Sequence, residues 1–166
     1  MSKWKNLRKD EGSAMVETAF SSIIVLAMLF GMFEGFFALY GYHYTSYAAR
    51  EGARYAAVRG SACSTDSSTM PDCPADQANL TAYIKGLNYP GINASDITVT
   101  PTWYSTNLNI PTYPPVYTTC NQTATGCNDP GMLVQVKVEY KIPVPIPFIN
   151  TLTFDMSSTS SMTITQ

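Results

Sequence analysis

The sequence predicts an α+β fold in which one long N-terminal helix packs on a small antiparallel β-sheet. Three observations predict it: an apolar N-terminal run, an Ala-rich run of helical periodicity directly after it, and alternating apolar residues near the C-terminus. The chain has 166 residues, which is enough for one compact domain and one membrane span. We expect four parts: a cytoplasmic leader at 1–12, a transmembrane helix at 13–40, an amphipathic helical extension at 41–60 and an extracytoplasmic α+β domain at 61–166.

The apolar run at 19–40 contains one ionisable side chain, Glu34. A membrane span needs about 20 apolar residues, whereas the apolar core of a cleaved secretory signal has only about 7–15. The run is therefore too long for a cleaved signal, and no convincing small-x-small cleavage site follows it directly. We interpret it as a retained single-pass anchor.

The helix is expected to continue beyond the membrane. Residues 41–59 contain no proline and are rich in alanine, so they predict one helix over roughly 13–59 that ends at Gly60. Five residues share one face at helical spacing and predict a stripe that docks on the outer domain: Tyr44, Ala48, Gly52, Tyr55 and Val58.

All four cysteines follow the apolar run. An even number of cysteines in a body rich in Gly, Pro, Ser and Thr indicates disulfides in an oxidising compartment, which places that body outside the cytoplasm. Of the three possible connectivities we favour the local one, and four unpaired thiols are the alternative. The favoured pairs are Cys63 with Cys73 and Cys120 with Cys127.

The sequence of the outer domain predicts short helices and strands separated by turns. A helix is predicted at 75–87, strands at 97–104, 132–140 and about 151–165, a turn-rich loop at 111–130, and an extended connection or sheet edge at 142–149. The second strand is the clearest, because apolar residues alternate with Gln135, Lys137 and Glu139.

Several functions are disfavoured by composition. The net charge is −2, so no basic face for nucleic acid is implied. His43 is the only histidine, and the chain has neither a Walker-type loop nor a Gly-x-Gly-x-x-Gly motif. We therefore expect no enzymatic activity, no cofactor and no metal site, with His43 in an interfacial aromatic belt.

A second acid, Glu17, stands at the start of the apolar run. If a peptidase cut after Gly12, Ser13 would become a charged amine that could pair with Glu17 of a neighbouring copy and fix the register between helices. The alternative is that Glu17 is solvated at headgroup depth.

Deeper in the span, Glu34 is predicted to face a partner helix together with three small residues, Ala27, Gly31 and Gly35, which recur every four positions and let backbones approach closely. The alternative is that Glu34 lies nearer the outer interface and snorkels to it.

Three stretches resemble a known family: Glu-Gly-Ser-Ala-Met-Val-Glu-Thr-Ala-Phe at 11–20, Phe-Glu-Gly at 33–35 and Ala-Ala-Arg-Glu-Gly-Ala-Arg-Tyr-Ala-Ala-Val at 48–58. They resemble the TadE-like family, which are pilin-like proteins of the bacterial tight-adherence (Tad/Flp) machinery. The resemblance is strong over about 9–60. It continues weakly at 134–140 and 158–164, and the middle of the chain resembles nothing we recognise.

The resemblance implies that Gly12 precedes a prepilin-peptidase cut, that Ser13 begins the mature chain and that Glu17 is the glutamate of the processing motif. Thr18 stands where the family often has an aromatic residue. The resemblance also implies a pilin-like fold and the function of a minor pilin or pseudopilin in a Tad-type pilus or secretion system. Such a protein would sit in the bacterial inner membrane with other pilins and assembly-platform proteins as partners.

Two alternatives stay open at this point. The first is an uncleaved single-pass anchor whose outer domain binds a partner or a surface. The second, much less favoured, is a secreted domain for which the helix is only a signal.

Overall fold

The structure is a computed structural model that describes residues 4–64, 71–106, 116–124, 126–144 and 152–165. Its helices and strands follow in the order α1 (Trp4–Ala57), α2 (Gln77–Lys85), β1 (Ile97–Thr106), β2 (Tyr117–Cys120), β3 (Leu133–Val144) and β4 (Leu152–Thr163). The predicted α+β class, with a long N-terminal helix and a small antiparallel sheet, is confirmed. The chain forms two compact units, Met1–Leu39 and Tyr40–Gln166, which are described separately.

The first unit is the N-terminal part of α1, and its large apolar side chains face outward from Met15 to Leu39. Two of its hydroxyl groups bond to the helix backbone: Thr18 Oγ1 donates to the carbonyl of Ala14 at 3.0 Å, and Ser22 Oγ donates to that of Ala19 at 2.8 Å. These two hydroxyl groups thus find partners within the segment, as polar groups in a hydrocarbon environment must.

The second unit is built around a four-stranded antiparallel sheet in the order β2-β1-β3-β4. Strand β3 is central, and its apolar and polar side chains alternate between the two faces as predicted. Its apolar residues Val134, Val136 and Val138 are fully buried. The intervening polar residues lie on the opposite face because side chains alternate along a strand.

Residues 40–57 of α1 cover the buried face of this sheet with small side chains. The fully or almost fully buried alanines of this segment are Ala48, Ala49, Ala53, Ala56 and Ala57. A Cβ placed on Gly52 would lie 2.8 Å from Ile84 Cδ1 and 3.1 Å from Val136 Cγ1. Glycine therefore permits a close approach between helix, sheet and α2, and a larger residue would force Ile84 and Val136 to shift.

Helix α2 begins with a cap that the sequence analysis did not identify. The carboxylate of Asp76 accepts from the backbone N–H of Asn79 at 2.7 Å, so the helix starts at Gln77 and is shorter than the predicted 75–87. Leu80 and Ile84 are completely buried and fix the helix in the core.

The bounds of α1 differ from those predicted at both ends. It begins at Trp4, inside the expected leader, and ends at Ala57. Thr165 explains the C-terminal bound: its backbone N–H and its Oγ1 both donate to the carbonyl of Ala57, at 2.8 and 3.2 Å. Val58 lies beyond this cap and is 38% exposed, so its placement in the docking stripe is wrong.

The strands also differ from the prediction: β1 and β3 end later than predicted, and β4 is slightly shorter than the predicted 151–165. Tyr117–Cys120 forms β2 within the segment expected to be a loop, pairing Trp103 with Cys120. Strand β3 continues through Pro143 to Val144. The β1–β3 register ends at Ile97↔Tyr140, so this proline lies where β3 pairs only with β4, and its missing N–H costs little. Residues 145–149 of the predicted connection lie outside the described residues.

We predict that Gly52→Leu will destabilise the second unit by about 3 kcal/mol, because a large side chain cannot fit between Ile84 and Val136. The measurement is thermal unfolding of the full chain in detergent, followed by near-UV circular dichroism. The matched control is Gly31→Leu, since a Cβ at Gly31 meets nothing within 4 Å. Equal melting of the two variants would contradict the close approach at Gly52.

Candidate functional site

The N-terminal part of α1 presents an apolar surface, because its large apolar side chains from Met15 to Leu39 are exposed. Within the described residues one helix, Gly12–Ala57, is long and apolar enough to cross a membrane, and none of the residues in its most apolar stretch is buried. Side chains such as Phe20, Met28 and Phe36 are each about two-thirds exposed. Large apolar surface of this extent marks contact with lipid or with another protein.

One side of this segment collects the small and acidic residues singled out from the sequence. Glu17 lies 18 residues before Gly35, which is about five helical turns, and Ala27 lies about two turns before Glu34. With Gly31 they occupy about a third of the helix circumference. Glu17 and the three small residues are exposed, and Glu34 is half-buried.

A Cβ at either Gly31 or Gly35 would meet nothing within 4 Å. The space beside these glycines is open, unlike that beside Gly52. A second helix could approach here as closely as small residues allow.

The expected processing site lies inside α1. Gly12 and Ser13 are both helical and exposed, and the helix has already run from Trp4 when it reaches them. The peptide bond between them is therefore accessible but is not extended in this conformation.

Residues 40–57, which we call the docked part of α1, begin with a cluster of tyrosines. Tyr44 is 2% exposed, and its ring makes edge contacts with Tyr89 and Tyr140 at centroid distances of 5.1 and 5.9 Å. Burial, with smaller contributions from Tyr140 and Tyr89, raises the pKa of Tyr44 to about 12. Tyr40 Oη donates to the carbonyl of Pro90 at 2.7 Å, which ties the loop after α2 to the helix.

A second aromatic contact stabilises the other end of the docked part. Tyr55 stacks on Tyr83 at 4.3 Å, and the Arg59 guanidinium lies 3.8 Å from the centre of the Tyr55 ring. The Tyr55 hydroxyl also donates to Asp72 at 3.3 Å. Burial raises the pKa of Tyr55, and the positive charge of Arg59 opposes that shift.

The predicted docking residues Tyr44, Ala48, Gly52 and Tyr55 are thus buried in the second unit, while Val58 is not. The partners Tyr83, Tyr89 and Pro90 were missed by the sequence analysis. They follow α1 by many residues with no periodic relation to it, so no local spacing indicates the contact.

The cysteines form the local pairs favoured from the sequence. Cys63 is bonded to Cys73, and Cys120 to Cys127, with Cα–Cα distances of 6.1 and 5.9 Å. The first link closes the segment that follows α1. The second closes the turn after β2, where Asn128 O accepts from the backbone N–H of Ser61 at 2.7 Å.

The part of the chain that the structure describes contains no group of three or more His, Cys, Asp or Glu side chains placed to hold a metal ion. His43 is exposed, and its ring lies 6.3 Å from that of Tyr42 in an edge arrangement. The surfaces described above are suited to binding other molecules through packing.

The comparison with protein families finds a match within α1. Residues 12–54 match the model of a family described as TadE-like protein. Helix α1 carries a TadE-like segment. The resemblance noted from the sequence is confirmed over this range, which contains both Glu17 and Glu34, whereas β3 and β4 lie outside it. No curated protein and no solved structure shows significant similarity to the chain.

We predict that the second unit will lose stability between about pH 10 and pH 12. The neutral Tyr44 hydroxyl is favoured in the folded state, because its pKa is raised from 10.0 to about 12. The contribution of Tyr44 to the free energy of unfolding is therefore complete below pH 10. It is lost as the pH rises through the pKa that Tyr44 has in the folded state. Over this interval roughly 2–3 kcal/mol is lost.

The measurement is a near-UV circular dichroism titration of the full chain in detergent. Tyr44→Phe should move the alkaline midpoint upward, since it removes the group that must ionise. Tyr42→Phe is the control and should leave the midpoint unchanged, because Tyr42 is 55% exposed. An unchanged midpoint in Tyr44→Phe would exclude Tyr44 as the cause.

Proposed function

We propose that the chain is a minor pilin or pseudopilin-like structural protein of a Tad-type pilus or secretion system, anchored in the bacterial inner membrane and assembled through α1. The observation that carries the proposal is the TadE-like match at 12–54, on a helix in which Gly31 and Gly35 have open space beside them among the described residues. Composition and fold alone would not distinguish this function from others.

Helix packing is the main attraction in this mechanism. Lipid tails are as apolar as leucine, so helices in a membrane associate through close packing and polar contacts. The open side at Gly31 and Gly35 permits such packing with the helix of another pilin or with a platform protein.

Glu17 gives the assembly its register. Prepilin-peptidase cleavage after Gly12 would leave a positive amine on Ser13, and the Glu17 carboxylate of a neighbouring copy would be its partner. An unpaired carboxylate at the lipid boundary is expensive, so pairing between copies would favour one axial offset over others.

The two disulfides support an extracytoplasmic location for the second unit, since disulfides persist in oxidising compartments. The leader at 1–12, which carries four basic side chains, would then remain in the cytoplasm.

A second candidate function is an uncleaved membrane anchor. It is favoured by one observation: α1 runs without interruption from Trp4 through Gly12 and Ser13, so the bond to be cut lies within a helix. Mass measurement of the purified protein separates the two candidates. A terminus at Ser13 supports the pilin-like function, and an intact Met1 in a normally assembled pilus supports the anchor.

We predict that Glu17→Ala will insert into the membrane at the wild-type level but will be lost from assembled pili. Insertion depends on the apolar run, whereas register depends on the carboxylate. Immunoblots of membrane and sheared-pilus fractions measure both steps. Thr18→Ala is the neighbouring control and should assemble normally; wild-type incorporation of Glu17→Ala would remove the register mechanism.

We also predict that Gly31→Leu and Gly35→Leu will each weaken association of α1 with its partner about tenfold. Each leucine would hold the backbones apart and cost roughly 1–2 kcal/mol of packing. Cross-linking yield in membranes is the measurement. Phe33→Leu, on the opposite side of the helix, is the control, and equal yields in all three variants would contradict a packing role for the glycines.

A further inference from the structure

Exposed aromatic side chains surround the point at which the second unit begins. Tyr40, the first residue of that unit, directly follows Leu39. Four side chains form what we call the aromatic rim, each 40–55% exposed: Tyr40, Tyr42, Tyr47 and Phe154. The first three belong to α1, and the fourth belongs to β4.

Contacts within the second unit place Phe154 at the same level as the first turn of the docked helix. Ile142 and Met156 are the close neighbours of Gly41, and they belong to β3 and β4. Phe154 is paired directly with Ile142 across those two strands. The end of the sheet that carries Phe154 therefore lies beside Gly41.

The loop after α2 is fixed at the same level. The hydroxyl of Tyr40 donates to the carbonyl of Pro90, and the Tyr47 ring lies 5.5 Å from that of Tyr89. The rim therefore belongs to a surface held by helix, loop and sheet together.

The four side chains of the aromatic rim carry no charge at neutral pH. Lys141 and Asp155 are paired across β3 and β4 at this end of the sheet, so their opposite charges nearly cancel. Tyrosine and phenylalanine, which combine apolar rings with at most one hydroxyl, are suited to the boundary between headgroups and acyl chains.

We propose that the aromatic rim is a lipid-contact surface, through which the folded domain rests in the headgroup layer of the membrane that holds α1. About 20 helical residues cross the hydrocarbon core, so a span ending at Leu39 brings Tyr40 and Tyr42 to the headgroups. Phe154 then reaches the same layer from the sheet. This proposal rests on the membrane anchoring in the proposed function, and it does not depend on cleavage or pilus assembly.

The test uses tryptophan reporters in the full chain, reconstituted in phosphatidylcholine vesicles with brominated lipids as quenchers. Trp4→Phe removes one native tryptophan, and Trp103 contributes equally to every variant because it is buried in the core. The reporter is Phe154→Trp. Its matched control is Met162→Trp, on the same strand and the same face, 39% exposed, and roughly 26 Å away along β4.

We expect Phe154→Trp to be quenched at least threefold more strongly than Met162→Trp, and more by bromine near the headgroup than by bromine near the chain end. Equal quenching of the two variants, or none in either, would overturn the proposal. Protection of Phe154→Trp from lipid together with cross-linking to a second copy would also overturn it, in favour of a protein contact.

Two further measurements keep the result interpretable. Phe30→Trp reports insertion of the span, so its quenching without that of Phe154→Trp would reject the lipid contact while leaving the anchor intact. If Phe154→Trp does not fold, Asp155→Trp reports the same end of β4. Quenching that required anionic lipid would contradict the uncharged interface.

Discussion

The close approach of residues 40–57 of α1 to the sheet is the contact on which the second unit depends. It is possible because the buried side of the helix is mostly glycine and alanine, which lets the backbone at Gly52 lie close to Val136. Helix α2 packs against one side of this contact through Leu80 and Ile84. At the end of α1, the backbone N–H of Thr165 donates to the carbonyl of Ala57. Interiors are packed to the density of organic crystals, so a contact this close tolerates little added volume.

The same helix is adapted to two environments, and its residue sizes change accordingly. From 15 to 39 the exposed residues are mainly Phe, Leu, Ile and Met, whose transfer to lipid is favourable. From 40 to 57 most of the buried residues are small, with Tyr44 and Tyr55 as exceptions, and charged side chains such as Arg50 and Arg54 appear on the exposed face. This change in composition coincides closely with the division of the chain at Leu39 and Tyr40.

Local patterns were sufficient to predict part of this architecture. The alternation around Val136 predicted β3, and the long apolar run predicted the N-terminal helix. The contacts that the sequence did not predict join segments that are distant in the chain. In one, β2 pairs with β1, with Cys120 opposite Trp103. In the other, the backbone N–H of Thr165 donates to the carbonyl of Ala57, where α1 ends. Val58 was misplaced for the same reason, since helical spacing alone cannot indicate that a residue from the C-terminus ends the helix.

The structure also separates two kinds of glycine that look alike in the sequence. The space beside Gly41 and Gly52 is filled by other parts of the chain, so these glycines serve the fold. The space beside Gly31 and Gly35 is open. If this side of the helix faced only lipid, leucine would be transferred to the membrane more favourably than glycine. Alanine and glutamate would likewise give no advantage in lipid over leucine. Under the proposed function, the small and acidic residues on that side would lie against a second helix.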